Sequence, residues 1–256
     1  MSPVARFAHL WYQLFLRDLR ARYSQTALGL LWGLGRPLLE LAVYTVVFGA
    51  VLNVPTDGVP YPLFAYTGIV LWTFVSGAIP RATTSITASA PLVASIPFPR
   101  ATIPMAAVGL AAFDALVSAS LLVIALWFFE ATPGIQVIWV IPIMGILAIF
   151  VSALSLIFAT LNVFYHDFTH LIALAIRVWM FLTPVAYATS AVPERYQQLY
   201  RLNPLVAVFE SVRGIMVRGL APDWSSLIYP AMLSVMLLAV AVISFRRLEP
   251  HFAETV

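Results

Sequence analysis

Cysteine is absent from this chain, and so is lysine. Without cysteine there is neither a disulfide nor a thiolate ligand for a metal. Without lysine the phosphate-cradling GK[ST] loop of nucleotide hydrolases cannot be written, so any ATP hydrolysis has to come from another polypeptide. All basic residues are therefore arginine. Charge of either sign is scarce: 10% of residues are Asp, Glu, Lys or Arg, against about 25% in soluble domains. A net charge of +3 spread over 256 residues excludes the dense basic surface that nucleic acid requires. No cleavable leader is expected, since residues 1–22 are charged and lack a small-residue cleavage site.

What is present is apolar. Hydrophobic residues make up 62% of the chain and the mean hydropathy is +0.94, which describes an integral membrane protein. A bilayer-crossing helix needs about 20 apolar residues. Six segments approach this, at roughly 28–52, 61–79, 101–129, 135–161, 171–187 and 227–245. The expected architecture is all-α, with six spans (28–188 for the first five, 225–247 for the last) and a short tail at 248–256. Residues 205–220 are too short, and Glu210, Arg213 and Arg218 too costly in lipid, for a further span. They read as part of a pair of short helices, 193–201 and 204–218, broken at Asn203-Pro204 and dipping into the interface within an outer segment, 189–222. Tyr196, Tyr200, Phe209 and four arginines in this segment suit a lid over an exit, because non-spanning backbone at membrane depth needs protein or water around it.

Arginine counts give the orientation. With the N-terminus inside, Arg6, Arg17, Arg20, Arg22, Arg81, Arg100, Arg246 and Arg247 lie on the inner side. Arg195, Arg201, Arg213 and Arg218 lie outside. Both termini are thus expected in the cytoplasm. Before the first span, Arg6, His9, Gln13, Arg17 and Arg20 recur at three- and four-residue spacing, with Phe7, Leu10, Trp11, Leu14 and Phe15 largely opposite. That is an amphipathic helix over residues 1–26, suited to the membrane interface or to a partner. Gly29, Gly33 and Gly35 permit close packing or a bend after it.

Charges inside the spans form a second group. Arg36, Glu40, Tyr44 and Phe48 are spaced by four and share a ridge of the first span. Arg177 lies about 9 Å into the fifth at 1.5 Å per residue. Asp114, alone near the middle of the third span, reads as a satisfied packing group. His166 and His170 flank Asp167 without a third strong ligand, so no metal site is expected; Asp167 suits a helix cap.

The segment RDLRARYSQTALGLLWGLGRPLLELAVYTVVFG from Arg17 resembles the opening of the polysaccharide-export permeases of ABC-2-type transporters, the O-antigen and teichoic-acid exporters. Other matches follow in register: Tyr66 to Trp72 with its G-x-x-x-W, the Phe98-Pro99-Arg100 turn within Pro91–Pro104, LNVFYHDFTH from Leu161, Phe181-Leu182-Thr183-Pro184, and Leu202-Asn203-Pro204 with Glu210 and Arg213. His166 departs from the arginine common in that loop. The resemblance covers essentially the whole chain. It implies a homodimer in the bacterial inner membrane, paired with two cytoplasmic ATP-binding cassette subunits that carry Mg-ATP, with no cofactor on this chain. Lipid-linked polysaccharide would be the cargo.

It also implies site residues. Arg17, Arg20, Arg22 and Tyr23 with Phe98, Pro99 and Arg100 would face the ATPase, and Asp167 would be a lesser contact. Pro97, Pro99 and Pro104 stiffen the turn, so that a push moves spans and is not absorbed. With the first and fifth spans around the path, Arg36, Glu40 and Arg177 would face cargo, whose diphosphate suits arginine; an Arg–Glu pair that only holds helices together is the other reading. Tyr44, Phe48, Trp72, Trp179, Phe181 and Tyr187 offer rings to sugar faces, or simply pack. An ABC-2 exporter of a drug, haem or small lipid remains open, as do a secondary transporter and a membrane-bound glycolipid enzyme. An inverted repeat or a cluster of acids and metal ligands would mark the last two.

Overall fold

The computed structural model describes residues 3–23, 31–95 and 98–255. Gly29, Pro97 and the side chain of Tyr23 lie outside what is described. Every described regular element is helical. In chain order these are α1 (Pro3–Tyr23), α2 (Leu31–Tyr44), α3 (Tyr61–Ala88), α4 (Ala90–Ser95), α5 (Thr102–Phe128), α6 (Val140–Phe164), α7 (Phe168–Phe181), α8 (Glu194–Arg201), α9 (Pro204–Arg218), α10 (Trp224–Leu248) and α11 (Phe252–Thr255). A π-helical stretch, Thr45–Val51, prolongs α2, and a 3₁₀ stretch, Gly134–Trp139, leads into α6.

Five helical stretches are long and apolar enough to cross a membrane: Leu34–Val51, Tyr61–Ala88, Thr102–Phe128, Gly134–Phe164 and Trp224–His251. This is a multi-pass membrane protein. The expected fifth span takes a different form. Its helix, α7, has 14 residues, about 21 Å long against a hydrocarbon core of about 30 Å. Thr183-Pro184 follows, and the residue before a proline is driven out of the α region, so 182–188 continues without regular helix. The second helix, in turn, runs past the expected end at 79 to Ala88, carrying Arg81 with it.

Local chemistry sets the ends of the shorter helices. The side chain of Asn203 accepts from the Leu205 amide, and Pro204 occupies the first turn of α9, where its missing N–H costs nothing. Gly219 ends α9 in the left-handed conformation, φ 64°, which glycine adopts without strain. Asp223 caps α10 through the Ser225 amide.

The helices are organised around α3. Phe64, Ala65, Val75, Ala78, Ile79 and Ala82 on it are wholly inaccessible, and α5, α6, α2, α7 and α9 all pack against it. Tyr61 Oη, at its start, donates to the Ala186 carbonyl at 2.8 Å. The start of α3 therefore lies with 182–188, α8 and α9 at one end of the bundle. Its finish lies at the other end, with α4, the 98–101 turn and α11. A second cluster closes that end: Ile86, Val93, Ile103, Val163, Phe245 and Phe252, with Phe98 packed against it.

Candidate functional site

Helix α1 realises the sequence pattern. Arg6, His9, Gln13, Arg17 and Arg20 are exposed, while Phe7, Leu10, Trp11, Leu14 and Phe15 are partly covered. Its apolar face is seated on α5. Trp11 Nε1 donates to the Met105 carbonyl at 2.9 Å, Trp11 stacks on Phe15 with centroids 5.6 Å apart, and Phe15 meets the edge of Phe113. A Cβ at Gly109 would lie 2.8 Å from the Trp11 ring, so a glycine is what lets the indole approach.

At the far end of α1, Arg22 reaches Asp114. One carboxylate oxygen, Oδ2, lies 2.9 Å from Arg22 and 2.8 Å from Arg81. The lone acid of the third span is thus satisfied by two arginines from two other helices. A residue expected to face a partner, Arg22, is committed to a carboxylate about 18 Å along α5 from its start. Arg17 remains available at the surface, paired with its neighbour Asp18 at 2.8 Å.

The Phe98-Pro99-Arg100 turn is fastened to the C-terminal segment. The Arg100 amide donates to Glu249 Oε1 at 2.8 Å, and its guanidinium bonds the Glu249 carbonyl and, at 3.4 Å, that of Val93. Arg100 is therefore a strut within the protein, and Phe98 is partly sunk in the apolar cluster. Asp167 sits at the start of α7 without a side-chain capping bond; its backbone carbonyl accepts from His170 and Leu171. The side-chain bond of this loop is made by Thr169, which donates to Asn162 Oδ1 at 2.8 Å.

On the α2 ridge, Arg36 and Glu40 pair with each other at 3.0 Å, and the Arg36 side chain is 76% exposed. Among the described residues no ion pair joins them to Arg177, which stands exposed on α7. Tyr44 does reach the fifth-span helix, its hydroxyl donating to Met180 Sδ at 3.2 Å. It also meets Phe48 edge-on. Phe181 is 62% exposed and Trp72 only 6%. Trp72 belongs to the core and presents no open ring to a path. Trp179 is half-buried, with its edge on Phe150 and its Nε1 donating to Asn203 at 3.2 Å.

The α8–α9 end is a polar hub. Asn203 donates to the Leu182 carbonyl at 2.8 Å and to Thr183 Oγ1 at 3.0 Å, tying the break after α7 to the start of α9. Arg213 is buried, lies 3.8 Å over the Phe64 ring, and donates to Glu210 at 3.0 Å and to the carbonyls of Pro184 and Val185. Burial lowers its pKa to about 10, so it stays charged at neutral pH. Tyr200 donates to the Tyr187 hydroxyl at 3.1 Å, and Tyr187 to the Phe181 carbonyl at 2.6 Å; burial pushes both phenols above their usual pKa. Phe209 is wholly buried, whereas Tyr196 is exposed under Arg195. Beside this hub, between α8–α9 and the start of α10, a cavity of about 710 Å³ is lined by Thr189, Arg201, Glu210, Ser225 and Tyr229 among others.

The bundle thus combines an amphipathic helix seated on a span, a stiff turn at the same end, and a folded polar hub at the opposite end. Residues 9–217 match the ABC-2 type transporter family. The chain belongs to that family. It is 30% identical over 240 residues to an O-antigen export system permease protein, RfbA, of Klebsiella pneumoniae, covering 93% of this chain and 91% of that one. The Myxococcus xanthus protein of the same name is 28% identical over 255 residues, 98% and 96% of the two chains. The polysialic acid transport protein KpsM of Escherichia coli is 24% identical over 244 residues, 92% of each.

Within this ABC-2 protein, the sequence reading overlooked the link from Arg22 through Asp114 to Arg81 and the hold of Glu249 on the turn. A signal existed for the first, because an acid inside an apolar span needs a partner and arginine was the only cation to supply one. Nothing in the sequence pointed to the second.

Proposed function

We propose that this chain is the permease subunit of an ATP-driven exporter that moves lipid-linked, O-antigen-like polysaccharide across the bacterial inner membrane. The observation that carries this is the likeness to O-antigen export permeases over nearly the whole of both chains. The absence of lysine supports it, since ATP must then be bound and hydrolysed elsewhere. In this reading two copies of the chain pair with two cytoplasmic ATP-binding cassette subunits, which hold Mg-ATP, and the chain itself carries no cofactor. Both termini, α1 and the 98–101 turn are cytoplasmic; the α8–α9 hub faces outward.

Closure of the ATP-bound partner presses on the exposed face of α1 and on the turn. Because α1 is joined to α5 and α3 through Trp11, Phe15 and Arg22, the push moves those helices together. The faces of α2 and α7 bearing Arg36, Glu40, Arg177 and Phe181 then separate from those of the second copy to admit the chain.

The test is genetic and biochemical together. In a strain lacking the gene, the wild-type chain restores surface polysaccharide and co-purifies with an ATP-binding cassette subunit. Arg17→Glu combined with Arg20→Glu lowers both. Undiminished surface polysaccharide in the deletion strain overturns the cargo assignment, and undiminished co-purification of the double variant overturns the coupling face.

A further inference from the structure

Helix α5 begins in an unusual way. Its N-cap position is Ala101, which makes no side-chain capping bond; the Thr102 and Ile103 amides are taken by the Pro99 and Arg100 carbonyls of the preceding turn. Thr102 turns its hydroxyl back onto the Pro99 carbonyl at 2.7 Å, so it caps nothing. The Arg100 amide just before the helix is taken by the carboxylate of Glu249, 149 positions away, at 2.8 Å. A carboxylate there also opposes the positive end of the helix dipole. The backbone of Glu249 and the side chain of Phe252 are engaged as well. Arg100 reaches the backbone carbonyl of Glu249. Phe252 is wholly inaccessible, edge-on to Phe245 at 5.3 Å and to Phe164 at 6.0 Å. Phe164 ends α6, immediately before the 165–167 loop.

We infer that residues 249–252 are a strap that sets the orientation of the coupling turn, with Glu249 and Phe252 as its positioning residues. Glu249 takes the Arg100 amide in the turn that leads into α5. Phe252 wedges the turn's Phe98 and the end of α6 into one apolar cluster. The strap thereby joins the two loops at this end of the bundle, so that a load on one is shared by the other. The inference rests on the reading that the 98–100 turn receives force from an ATP-hydrolysing partner. Glu249 acts through the Arg100 amide.

The experiment uses the full permease–ATPase complex in lipid nanodiscs and intact cells, comparing Glu249→Ala, Glu249→Gln and Phe252→Ala. Glutamine keeps an acceptor at Oε1 and alanine removes it. Co-purification and basal ATP hydrolysis are expected to stay near wild type in all three. Surface polysaccharide per unit of ATPase activity should fall about tenfold in Glu249→Ala, the scale of one charged hydrogen bond, and recover to within about twofold in Glu249→Gln. Wild-type coupling in Glu249→Ala overturns the strap, as does an equal loss in alanine and glutamine variants. Should Phe252→Ala not assemble, the Glu249 pair still decides. If instead Phe98→Glu leaves partner binding and export intact, it is the coupling turn itself that is refuted.

Discussion

Replacing Asp114 by asparagine is the sharpest test of how α1 is held. Its side chain is 7% exposed, and its Oδ2 receives Arg22 at 2.9 Å and Arg81 at 2.8 Å. Removing one partner from a fully buried pair costs about 3–5 kcal/mol, because a charge is stranded without compensation. Here the two arginine side chains are 37% and 31% exposed, so water recovers part of the loss. The expected destabilisation is about 2–3 kcal/mol for Asp114→Asn. Arg22→Ala should cost about 1 kcal/mol, since it removes the more exposed member and leaves Arg81 on the carboxylate.

The two changes must also fail to add. If Arg22 acts through Asp114, the double variant is less damaged than the sum by about 1–2 kcal/mol. The measurement is unfolding of the purified protein in mixed micelles by titration with sodium dodecyl sulfate, followed by tryptophan fluorescence and repeated from the unfolded side. Additivity to within about 0.5 kcal/mol would refute the link, because unconnected sites add to that accuracy. A second readout is positional. With the link cut, a spin label on the exposed face of α1 should gain mobility while one on α10 does not.

Other consequences follow from the opposite end of the bundle. Arg213→Lys keeps the charge but cannot bond Glu210 and two carbonyls from one planar group; a loss of about 2 kcal/mol is expected in the same micelle titration. Gly68→Ala places a Cβ 2.5 Å from the Val185 carbonyl oxygen and 2.9 Å from its Cα, which forces the 182–188 backbone away from α3 and should cost about 1–3 kcal/mol, with Leu→Ala changes elsewhere on α3 as a scale. Asp223 has its pKa lowered, chiefly by the Ser225 hydroxyl bond. A carboxyl depressed on folding stabilises above its unfolded pKa and releases that stability as pH falls through the folded one. Amide exchange in the first turn of α10 should therefore accelerate below the ordinary carboxylate range in the wild type and not in Asp223→Asn, which caps without titrating.

Much of the architecture was legible because the bilayer imposes it. An apolar run of spanning length must be helical, and the expected 101–129 and 227–245 correspond to α5 and α10. The break at Asn203-Pro204 was legible for a local reason: asparagine before proline both caps and interrupts, and α8 and α9 meet there. What the sequence withheld was which side of a helix each residue faces. Trp72 lies in an apolar helix without a polar face, so its pattern could not show that the ring turns into the core. Arg100 in a proline-rich turn reads as exposed, and only its contact with Glu249 shows it to be a strut. Arg213 and Glu210 looked like lid residues, but burial over Phe64 makes Arg213 a fastening for 182–188. In each case the deciding contact joins segments remote in the chain, which periodicity cannot report.

These fastenings are unevenly distributed, and the distribution bears on how such a bundle moves. Helix α3 is held at one end by Arg81 on Asp114 and at the other by Arg213 on Phe64, with the 182–188 backbone pressed against Gly68 between them. One end uses a charge-assisted bond and the other a buried cation–π contact, and the loss of either strands an arginine, so α3, α5 and α9 resist separation. By contrast α2 and its π-helical continuation expose Leu39, Val43, Val46 and Val51, and α7 exposes Leu174, Val178 and Phe181. The bond recorded between those two helices runs from Tyr44 to a methionine sulfur, a weak acceptor. In the proposed mechanism a load delivered through α1 and the turn meets a stiff unit in α3 and α5, and the exposed faces of α2 and α7 that carry Arg36, Glu40 and Arg177 are the ones left to part from a second copy.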